Sequence, residues 1–496
     1  MINRSLTKSG PNNFKALLNS SSQILAVLAF ISISCNEKEK APDLPNILFI
    51  LADDQRSNTI HSLGNEEIIT PNLDKLAESG ISFTNAYIMG SYSGAVCMPS
   101  RAMLLTGKFL NNLTGDGQYI PPADTLLGEY LQKYGYNCFG TGKYHSEPET
   151  FPRCFNEGAD IFFGGMWDQW NVPLFTYEGC RPFKADQLPY IEDFYNSKEI
   201  RYKRGEYVLG GKHSTDIFTD ASLQYIENYD SDKPFFIYAA FMTPHDPRTT
   251  HQKYFDMYDT AQISIPPNFY PEHPFDNGEL KIRDEMLAPF PRTKPVIKEH
   301  IRDYYALITH NDEKLGEIVS ALKEKGLYEN TIIIYSGDNG LALGQHGLMG
   351  KQNLYEHSTG VPLIFAGKGI EKNRVSEAMV YLTDLYPTLC RMIGIPVPSS
   401  VDGSSFMESL ESPAREHRKY IVTTYRNFQR AIRDEKFKLI QYNVEGIKRI
   451  QLFDLENDPW EMNDLSQEPE YQERIGILSF ELEKQLKEFN DNKWKF

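Results

Sequence analysis

Apolar runs alternate with amphipathic stretches over most of the chain, and this alternation predicts an α/β protein. Residues 46–52, NILFILA, are apolar throughout, as in a strand buried on both faces. Thr70 and Pro71 predict the cap and first turn of a helix with Leu73 and Leu76 on its apolar face. Further helices are predicted near 125–134, 215–228 and 298–325, and strands near 137–140, 235–241 and 331–335. We therefore predict a large mixed, mostly parallel sheet sandwiched by helices.

The pattern changes from about residue 418. Three short alternating stretches, KYIVTTY, RAIRDEKFKLIQY and IKRIQLFDL, are followed by a charged amphipathic helix near 468–490. They predict a smaller C-terminal antiparallel sheet with a closing helix. The domain prediction is an export signal at 1–34, a tether at 35–45, a catalytic α/β domain at 46–415 and a small α+β subdomain at 416–496.

The N-terminal segment predicts export. Residues 1–34 contain three basic residues and no acidic one, and the apolar run 24–33 is about half as long as the roughly 20 residues of a membrane-spanning helix. Ser34 followed by Cys35 resembles a lipobox, except that Ser32 stands where leucine is usual. We expect a protein of the periplasm or outer-membrane surface of a Gram-negative bacterium, with Cys35 as the position of a possible lipid anchor and with no other contact with a membrane.

Composition and charge narrow the function. The 496 residues carry 51 basic and 67 acidic side chains, so the formal charge of −16 argues against a nucleic-acid binder. The six cysteines form no CxxC pair, which disfavours a thiolate zinc site. In an exported chain Cys154 and Cys180 could form a disulfide, although the sequence does not fix the pairing.

Four polar clusters follow four predicted strands. Each one alone is more often a helix cap, a turn or a solvated loop. Their shared position is informative, because the ligand crevice of a parallel sheet lies beyond the carboxyl ends of its strands. The clusters are Asp53 with Asp54, Lys143 with His145, His245 with Asp246, and Asp338 with Asn339.

The oxygen-bearing members of these clusters predict a metal site. Three carboxylates and one amide oxygen favour a hard cation such as Ca²⁺ or Mg²⁺, whereas zinc prefers histidine or cysteine. The surrounding cations and imidazoles indicate a site for a doubly charged oxyanion. These are Lys143, His145, His245 and Lys351.

The stretch 97–107, CMPSRAMLLTG, supplies a candidate nucleophile. Pro99 suits the first turn of a helix, so Cys97 would lie at a helix N-terminus, where negative charge is favoured. The alternative for an isolated cysteine is a buried structural thiol.

Together these motifs resemble the type I formylglycine-dependent sulfatases, within the alkaline phosphatase superfamily and similar to exported bacterial glycan sulfatases. CMPSRAMLLTG matches the family's CxPxR maturation motif, and FDLENDPWEMNDL resembles its C-terminal strand motif. The resemblance spans residues 46 to about 466. The other signatures that match in order are LADD, GTGKYH, TPHDP, GDNG and GKQNLYE.

The resemblance implies an alkaline phosphatase-like fold and a sulfuric ester hydrolase. It implies that a separate maturation enzyme oxidises Cys97 to formylglycine (3-oxoalanine), whose hydrate attacks sulfur and expels sulfate from the sulfo-enzyme by re-forming the aldehyde. The implied ligands of one ion, Ca²⁺ rather than Mg²⁺, are Asp53, Asp54, Cys97, Asp338 and Asn339.

The resemblance also implies roles for the other polar residues. Arg101 would hold the formylglycine, and Lys143 and Lys351 would neutralise the sulfate oxygens. His245 is interpreted as the acid that protonates the departing oxygen and His145 as the base, although the two roles could be interchanged.

The expected substrate is a sulfated carbohydrate. The long insert at 162–211 is rich in aromatic residues, which could stack on a sugar or form core beneath a loop. Candidate sugar contacts are Trp167, His213 and Arg248. We expect exo action on a terminal sugar, and general likeness of the N-terminal stretch to bacterial glycan sulfatases favours a galactose-type sulfate.

Two alternative functions fit the same motifs. One is a phosphonate or phosphate ester hydrolase of the same superfamily. The other is a non-catalytic glycan-binding lipoprotein in which Cys97 stays unconverted. Comparing the turnover of aryl sulfates with that of aryl phosphates or phosphonates distinguishes a sulfatase from the first alternative. Binding of a sulfated glycan without turnover would favour the second.

Overall fold

A large sheet with parallel central strands forms the body of the protein. The computed structural model describes residues 44–179, 183, 186–191 and 200–496. The strands are β1 Asn46–Asp53, β2 Gly80–Tyr87, β3 Gly90–Ser91, β4 Asn137–Lys143, β5 Glu157–Phe162, β6 Pro173–Glu178, β7 Asp186–Ile191, β8 Ile200–Gly205, β9 Tyr207–Val208, β10 Phe235–Pro244, β11 Thr331–Gly337, β12 Gly360–Gly367, β13 Arg374–Ser376, β14 Val380–Tyr381, β15 Ile421–Tyr425, β16 Gln429–Arg433, β17 Phe437–Val444 and β18 Ile447–Asp454.

Helices flank this sheet. They are α1 Pro71–Glu78, α2 Cys97–Thr106, α3 Leu127–Lys133, α4 Phe151–Cys154, α5 Ser214–Asn228, α6 Gln252–Phe255, α7 Lys294–Glu324, α8 Glu356–Thr359, α9 Leu385–Met392, α10 Met407–Glu411 and α11 Gln472–Glu488. The predicted elements are present, with ends shifted by a few residues.

The order of the large sheet is β13-β2-β12-β11-β1-β10-β4-β5-β6-β9, with β14 paired to β2. The middle strands β11, β1, β10, β4 and β5 run parallel, and β12 is antiparallel to both β11 and β2. The prediction of a mixed, mostly parallel sheet sandwiched by helices is confirmed.

The middle strands are apolar because both of their faces are covered. All eight residues of β1 are buried. Helices α5 and α7 pack against one face of this part of the sheet, and Phe155, directly after α4, stacks on Phe236 and Tyr238 of β10 on the other face. The core between the sheet and these helices joins Leu48 and Ile50 of β1 to Ile217 of α5 and Leu315 of α7. Burial of each such side chain contributes roughly 1.5–3 kcal/mol, which fixes the strands whose ends carry the polar clusters.

The first helix is capped from another part of the chain. α1 begins at Pro71 as predicted, but Thr70 makes no side-chain cap bond. The carboxylate of Asp312, on α7, accepts from the amides of Asn72 (3.0 Å) and Leu73 (2.6 Å). The expected local cap is therefore wrong, because a carboxylate brought by tertiary packing satisfies the free amides better.

The C-terminal sheet is predicted correctly in type but not in strand number. RAIRDEKFKLIQY forms the hairpin β16–β17, since Asp434 accepts from the amides of Lys436 and Phe437 and turns the chain. The sheet order is β18-β17-β16-β15-β3, and the added β3 runs parallel to β15. A buried ion pair, Arg430 Nε to Asp491 Oδ2 at 2.6 Å, ties the chain end to this sheet.

Residues 45–496 form one compact unit, so the C-terminal sheet is continuous with the rest of the fold. The boundary predicted between 415 and 416 stays a prediction. The export signal and nearly all of the tether, including Cys35, lie outside the described residues. No helix within the described ranges is long and apolar enough to cross a membrane.

The aromatic insert is more regular than a loop. It contributes β6 and β9 to the edge of the large sheet, and β7 pairs with β8 as a separate ribbon. Cys154 is a buried free cysteine, which does not support the considered bridge to Cys180, and Cys180 itself lies outside the described residues.

Candidate active site

The four predicted polar clusters meet at one edge of the sheet. β1 ends at Asp53, β4 ends at Lys143, β10 is followed by His245, and β11 is followed by Asp338. These strands are adjacent and parallel, in the order β11-β1-β10-β4, so their carboxyl ends share one edge. Topology alone brings together side chains as distant in sequence as Asp54 and Asn339, which are 285 positions apart.

Cys97 lies over this edge, at the first residue of α2. Its Sγ is 3.3 Å from His145 Nδ1, 3.4 Å from Lys143 Nζ and 3.8 Å from Lys351 Nζ. Arg101 lies one helical turn further on, on the same face of α2. The thiol is therefore surrounded by two ammonium groups and an imidazole.

Two residues of the site have a strained backbone conformation. Asp54 and His145 both have positive φ, 67° and 58°. L-residues adopt this region at a cost, and such conformations persist where the surrounding structure holds them. For Asp54 the holding contact is its amide, which donates to Asp338 Oδ1 at 3.0 Å.

Buried ion pairs fix the acidic side chains. Arg101 is fully buried, and its Nε donates to Asp338 Oδ2 at 2.8 Å. Lys143 pairs with Asp53, and Lys351 Nζ lies 2.6 Å from Asp54 Oδ1. Three carboxylates thus face three permanent cations in a site without bulk water, where such contacts are strong and removal of one partner is costly.

Burial and charge act in opposite directions on these groups. Burial raises the pKa of Asp53, but Lys143 and the other nearby cations outweigh it and hold that pKa well below its usual range. Burial, aided by the Asp53 carboxylate, raises the pKa of Asp338 to about 6. Burial also raises the pKa of the Cys97 thiol to about 11, although the two lysines oppose it.

The two imidazoles occupy different positions. His145 touches Cys97 through Nδ1, and burial together with Lys143 lowers its pKa well below the usual value, so its ring is neutral. His245 faces Asp54, with Nε2 at 3.6 Å from Oδ2, and its Nδ1 lies 2.7 Å from the backbone oxygen of Asp246. His145 is therefore the imidazole beside the thiol, and His245 lies on the Asp54 side.

The acidic residues fit a metal ion. Ligand atoms of Asp53, Cys97 and Asp338 lie within 4.8 Å of one another. Asp53 Oδ1 and Asn339 Oδ1 are buried and have no hydrogen-bond donor in the described part of the chain. Asn339 Nδ2 donates to Asp54 Oδ1 at 2.8 Å, which fixes the orientation of its amide. Buried oxygens without donors are ligands that a hard cation can satisfy.

Of the three candidate sugar contacts, one is excluded by its environment. His213 is completely buried and caps α5: its Nδ1 accepts from the Thr215 amide, and its Nε2 lies 2.9 Å from Thr249 O. Both ring nitrogens are used, so His213 is a structural histidine and the prediction was wrong. Trp167 is half-buried against the core, with Lys203 Nζ 4.0 Å from its ring centre.

Several site residues are not identifiable from the sequence. Tyr304 donates to the backbone oxygen of Asp54 at 2.6 Å and accepts from the Arg56 amide. Arg283 pairs with Asp246, the residue after His245, and with Asp284. We call this border of the site, beyond His245, the rim. Tyr304 occupies an apolar position of the long helix α7, so its pattern is that of a core residue.

The comparisons with known proteins agree with this geometry. The family model described as Sulfatase matches residues 45–395, and the one described as N-sulphoglucosamine sulphohydrolase, C-terminal, matches residues 344–491. The chain belongs to the sulfatase family and is a sulfuric ester hydrolase, as predicted. This family generally uses a formylglycine and a divalent metal ion.

Similar proteins are glycan and aryl sulfatases. The chain is 26% identical to an N-acetylglucosamine-6-O-sulfatase of Bacteroides thetaiotaomicron over 96% of this chain and 92% of that protein. It is 28% identical to an ulvan-active sulfatase of Formosa agariphila, over 94% and 87% of the two chains. It is also 29% identical to an arylsulfatase of Clostridium perfringens, over 89% and 94%.

Solved structures support the fold. One similar structure, solved in complex with its substrate D-glucosamine-2-N,6-O-disulfate, has a TM-score of 0.73 and 26% identity, covering 90% of this chain and 99% of that one. A phosphonate monoester hydrolase of Agrobacterium radiobacter has a TM-score of 0.70 and 19% identity over 90% and 96%. The second likeness concerns the fold alone, and the predicted alkaline phosphatase-like fold is confirmed.

Proposed function

We propose that the protein hydrolyses sulfate esters of carbohydrates with a formylglycine made from Cys97. The observation that carries this proposal is the position of Cys97: its Sγ lies 3.3–3.8 Å from His145, Lys143 and Lys351, beside three buried carboxylates. Conversion to formylglycine would supply, in hydrated form, a hydroxyl nucleophile and a second hydroxyl that permits sulfate release.

The metal is proposed to be one Ca²⁺ ion. The residues that would hold it are Asp53, Asp54, Asp338, Asn339 and the converted Cys97. When bound, the ion would neutralise charge on the sulfate oxygens. Calcium is preferred over magnesium because the ligands come from three separate segments, the end of β1, the start of α2 and the residues after β11, and calcium tolerates irregular coordination.

The cations hold the sulfate group. Lys143 and Lys351 flank Cys97, so their ammonium groups bind sulfate oxygens and stabilise the charge that grows there in the transition state. Arg101 is fully buried and holds Asp338 in place. From one helical turn along α2 its Nη2, which lacks a hydrogen-bond partner among the described residues, would hold the formylglycine at position 97.

The two imidazoles move protons. His145 accepts a proton at position 97, since its Nδ1 is within reach of that side chain and its ring is neutral. His245 donates a proton to the departing sugar oxygen from the Asp54 side of the site. Its ring is oriented by Asp246, which in turn pairs with Arg283.

A cysteine substitution tests the core of the proposal. Cys97→Ala should abolish turnover of a sulfate ester while the protein stays folded. Cys138→Ala is the matched control, because Cys138 is also a buried free cysteine but lies in β4, away from the residues around Cys97. The Cys138→Ala variant should stay active. In the active natural protein, the tryptic peptide with Cys97 should be lighter by one thiol-for-oxygen exchange. Full activity of Cys97→Ala, or only unmodified thiol in active protein, would end the mechanism.

The substrate is proposed to be a terminal sulfated sugar. Relatives named for N-acetylglucosamine-6-O-sulfate and for ulvan support a glycan, and the expected galactose-type sulfate stays open beside glucosamine. Release of sulfate should be measured over a panel of defined mono- and disaccharide sulfates. Turnover of aryl sulfate alone, with no sugar sulfate hydrolysed, would contradict the carbohydrate assignment.

The main alternative function is that of a phosphonate or phosphate ester hydrolase, because a phosphonate monoester hydrolase has the same fold. Equal amounts of enzyme should hydrolyse an aryl sulfate faster than the matching aryl phosphonate. A non-catalytic binder would instead retain sulfated glycan without releasing sulfate, even when Cys97 is fully converted.

Maturation and location complete the proposal. Cys97 requires a formylglycine-generating enzyme, so co-expression with one should raise both activity and the converted fraction.

We also propose export to the periplasm or outer-membrane surface, with lipid on Cys35. Cys35→Ala should then be released from the membrane fraction, and a variant that stays there as the wild type does would contradict the lipid assignment.

A further inference from the structure

We infer that Arg248 forms a second anion-binding subsite, so that the preferred substrate carries another acidic group beside the sulfate that is removed. This inference rests on the proposed function, because it concerns the substrate of the same site. It assigns Arg248 to recognition and not to the reaction itself.

Arg248 lies at the rim of the reaction centre. It comes three residues after His245, in the segment that follows β10. Its guanidinium carbon lies 6.0 Å from the centre of the Tyr304 ring, and the Tyr304 hydroxyl donates to the backbone oxygen of Asp54. Two contacts thus connect Arg248 to a proposed metal ligand.

The guanidinium is held in place on one side. Nη1 contacts His300 Nδ1 at 3.2 Å, so the imidazole accepts from the arginine. The Tyr304 ring supports its face, and the residue as a whole is half-buried. Nε is buried and has no hydrogen-bond partner in the described ranges. The edge formed by Nε and Nη2 is therefore fixed, and neither of its donors has a hydrogen-bond partner within the described residues.

The charge of Arg248 is not neutralised by the protein. Within the described residues no carboxylate lies within 4 Å of its guanidinium. Asp246 and Asp303 are near enough for the charge of Arg248 to favour the ionised form of both carboxyls. Asp246 is paired with Arg283, and Asp303 is paired with Arg302. Arg283, at the same rim, is matched by both Asp246 and Asp284. Arg248 is thus a cation at this rim that no carboxylate of the described residues pairs.

The chemistry of the ligand follows from the edge that is available. Nε and Nη2 of an arginine present two parallel donors, which fit the paired oxygens of a carboxylate or sulfate. A buried donor without a partner is costly, so a ligand that satisfies it gains affinity. A neutral hydroxyl could fill one donor position but would leave the charge unmatched. The ligand class is therefore a sugar with a second sulfate or a carboxylate near the reacting ester.

The test compares substrates that differ by one anionic group. The kcat/KM values of the wild-type enzyme, Arg248→Ala and Arg248→Lys are measured on 4-nitrophenyl sulfate, on a monosulfated sugar, on the same sugar with a second sulfate, and on a sulfated uronic acid. Arg415→Ala is the control, since Arg415 is an exposed arginine paired with Glu408 away from the rim.

The expected result is a loss confined to the doubly charged substrates. Arg248→Ala should lower their kcat/KM by about 10- to 100-fold, the effect of losing a charge-assisted, two-donor contact, and should change the singly charged substrates by less than about 3-fold. Arg248→Lys should fall between, because it keeps the charge without the paired donors. The disulfated sugar and the sulfated uronic acid distinguish sulfate from carboxylate as the second group.

Two results would overturn the inference. Equal losses by Arg248→Ala on singly and doubly charged substrates would mean that Arg248 acts on the reaction centre, and a wild-type enzyme without preference for the second charge would remove the subsite. In both cases sulfate esters are still hydrolysed, so the proposed function stands. If matured wild-type enzyme hydrolyses none of the four substrates, the proposed function fails, and the subsite fails with it.

Discussion

Calcium should raise the thermal stability of the protein, and Asn339 should be necessary for this effect. The prediction depends on two buried oxygens, Asp53 Oδ1 and Asn339 Oδ1, which lack donors in the described residues. A buried polar atom without a partner costs about 1–3 kcal/mol, so an ion that satisfies both should stabilise the folded state by roughly 2–6 kcal/mol.

Mass action gives a similar magnitude. A ligand at 100 times its Kd stabilises the folded state by about 2.7 kcal/mol. Residues 45–496 form one compact unit of roughly 450 residues, and at about 2.1 cal/mol/K per residue its unfolding entropy is near 1 kcal/mol/K. The expected rise in Tm is therefore about 3 °C.

The assay is a thermal unfolding scan with chelator and with millimolar calcium. Asn339→Ala should lose most of the rise in Tm. Asn268→Ala is the matched control, because Asn268 is likewise a buried amide whose Oδ1 has no partner in the described part of the chain, but it lies away from the site. Asn268→Ala should keep the rise, and magnesium at the same concentration should give a smaller one. A Tm that does not depend on calcium, or an equal rise in Asn339→Ala, would refute the reasoning.

Three further predictions concern charges. Lys143→Ala should lower kcat for a sulfate ester by about 10²–10³-fold, because it removes a preorganised charge. The control Lys253→Ala, at an exposed lysine, should be as active as the wild type. Equal kcat values for the two variants would exclude Lys143 from sulfate binding. Burial lowers the pKa of His213 to about 3, below its unfolded value, so the unfolded chain binds the extra proton and stability is lost as pH falls below 6.5. The free energy of unfolding, measured with urea, should fall between pH 7 and pH 5 by about 2 kcal/mol less in His213→Asn than in the wild type. The exposed control His61→Asn should behave as the wild type, and identical pH profiles of all three proteins would contradict this prediction. Asp491→Asn should destabilise the protein by about 3–5 kcal/mol in the same assay, since it leaves a buried guanidinium unpaired, and a change below 1 kcal/mol would show that the ion pair is solvated.

Much of the fold follows from the sequence because its signals are local. The apolar run that became β1 and the spacing of α7 reflect burial of their own residues, which each stretch of chain displays directly. The limits of such signals appear where a partner comes from elsewhere. Asp312 caps α1 in place of Thr70, and β3 joins the C-terminal sheet from a position more than 300 residues earlier.

The candidate site divides in the same way. The sequence by itself determined the residue types, because oxygen ligands, ammonium groups, imidazoles and a thiol at a helix start have chemistry that each motif carries on its own. Their convergence could be expected from the rule that parallel strands end at one edge. Only the tertiary structure decided that His145 touches the thiol while His245 faces Asp54, that His213 is consumed in capping α5, and that Arg248 keeps an unmatched charge at the rim. The reason is physical: the chemistry of a side chain is a property of the residue, whereas its partners, burial and charge balance are set by segments far away in sequence that packing brings beside it.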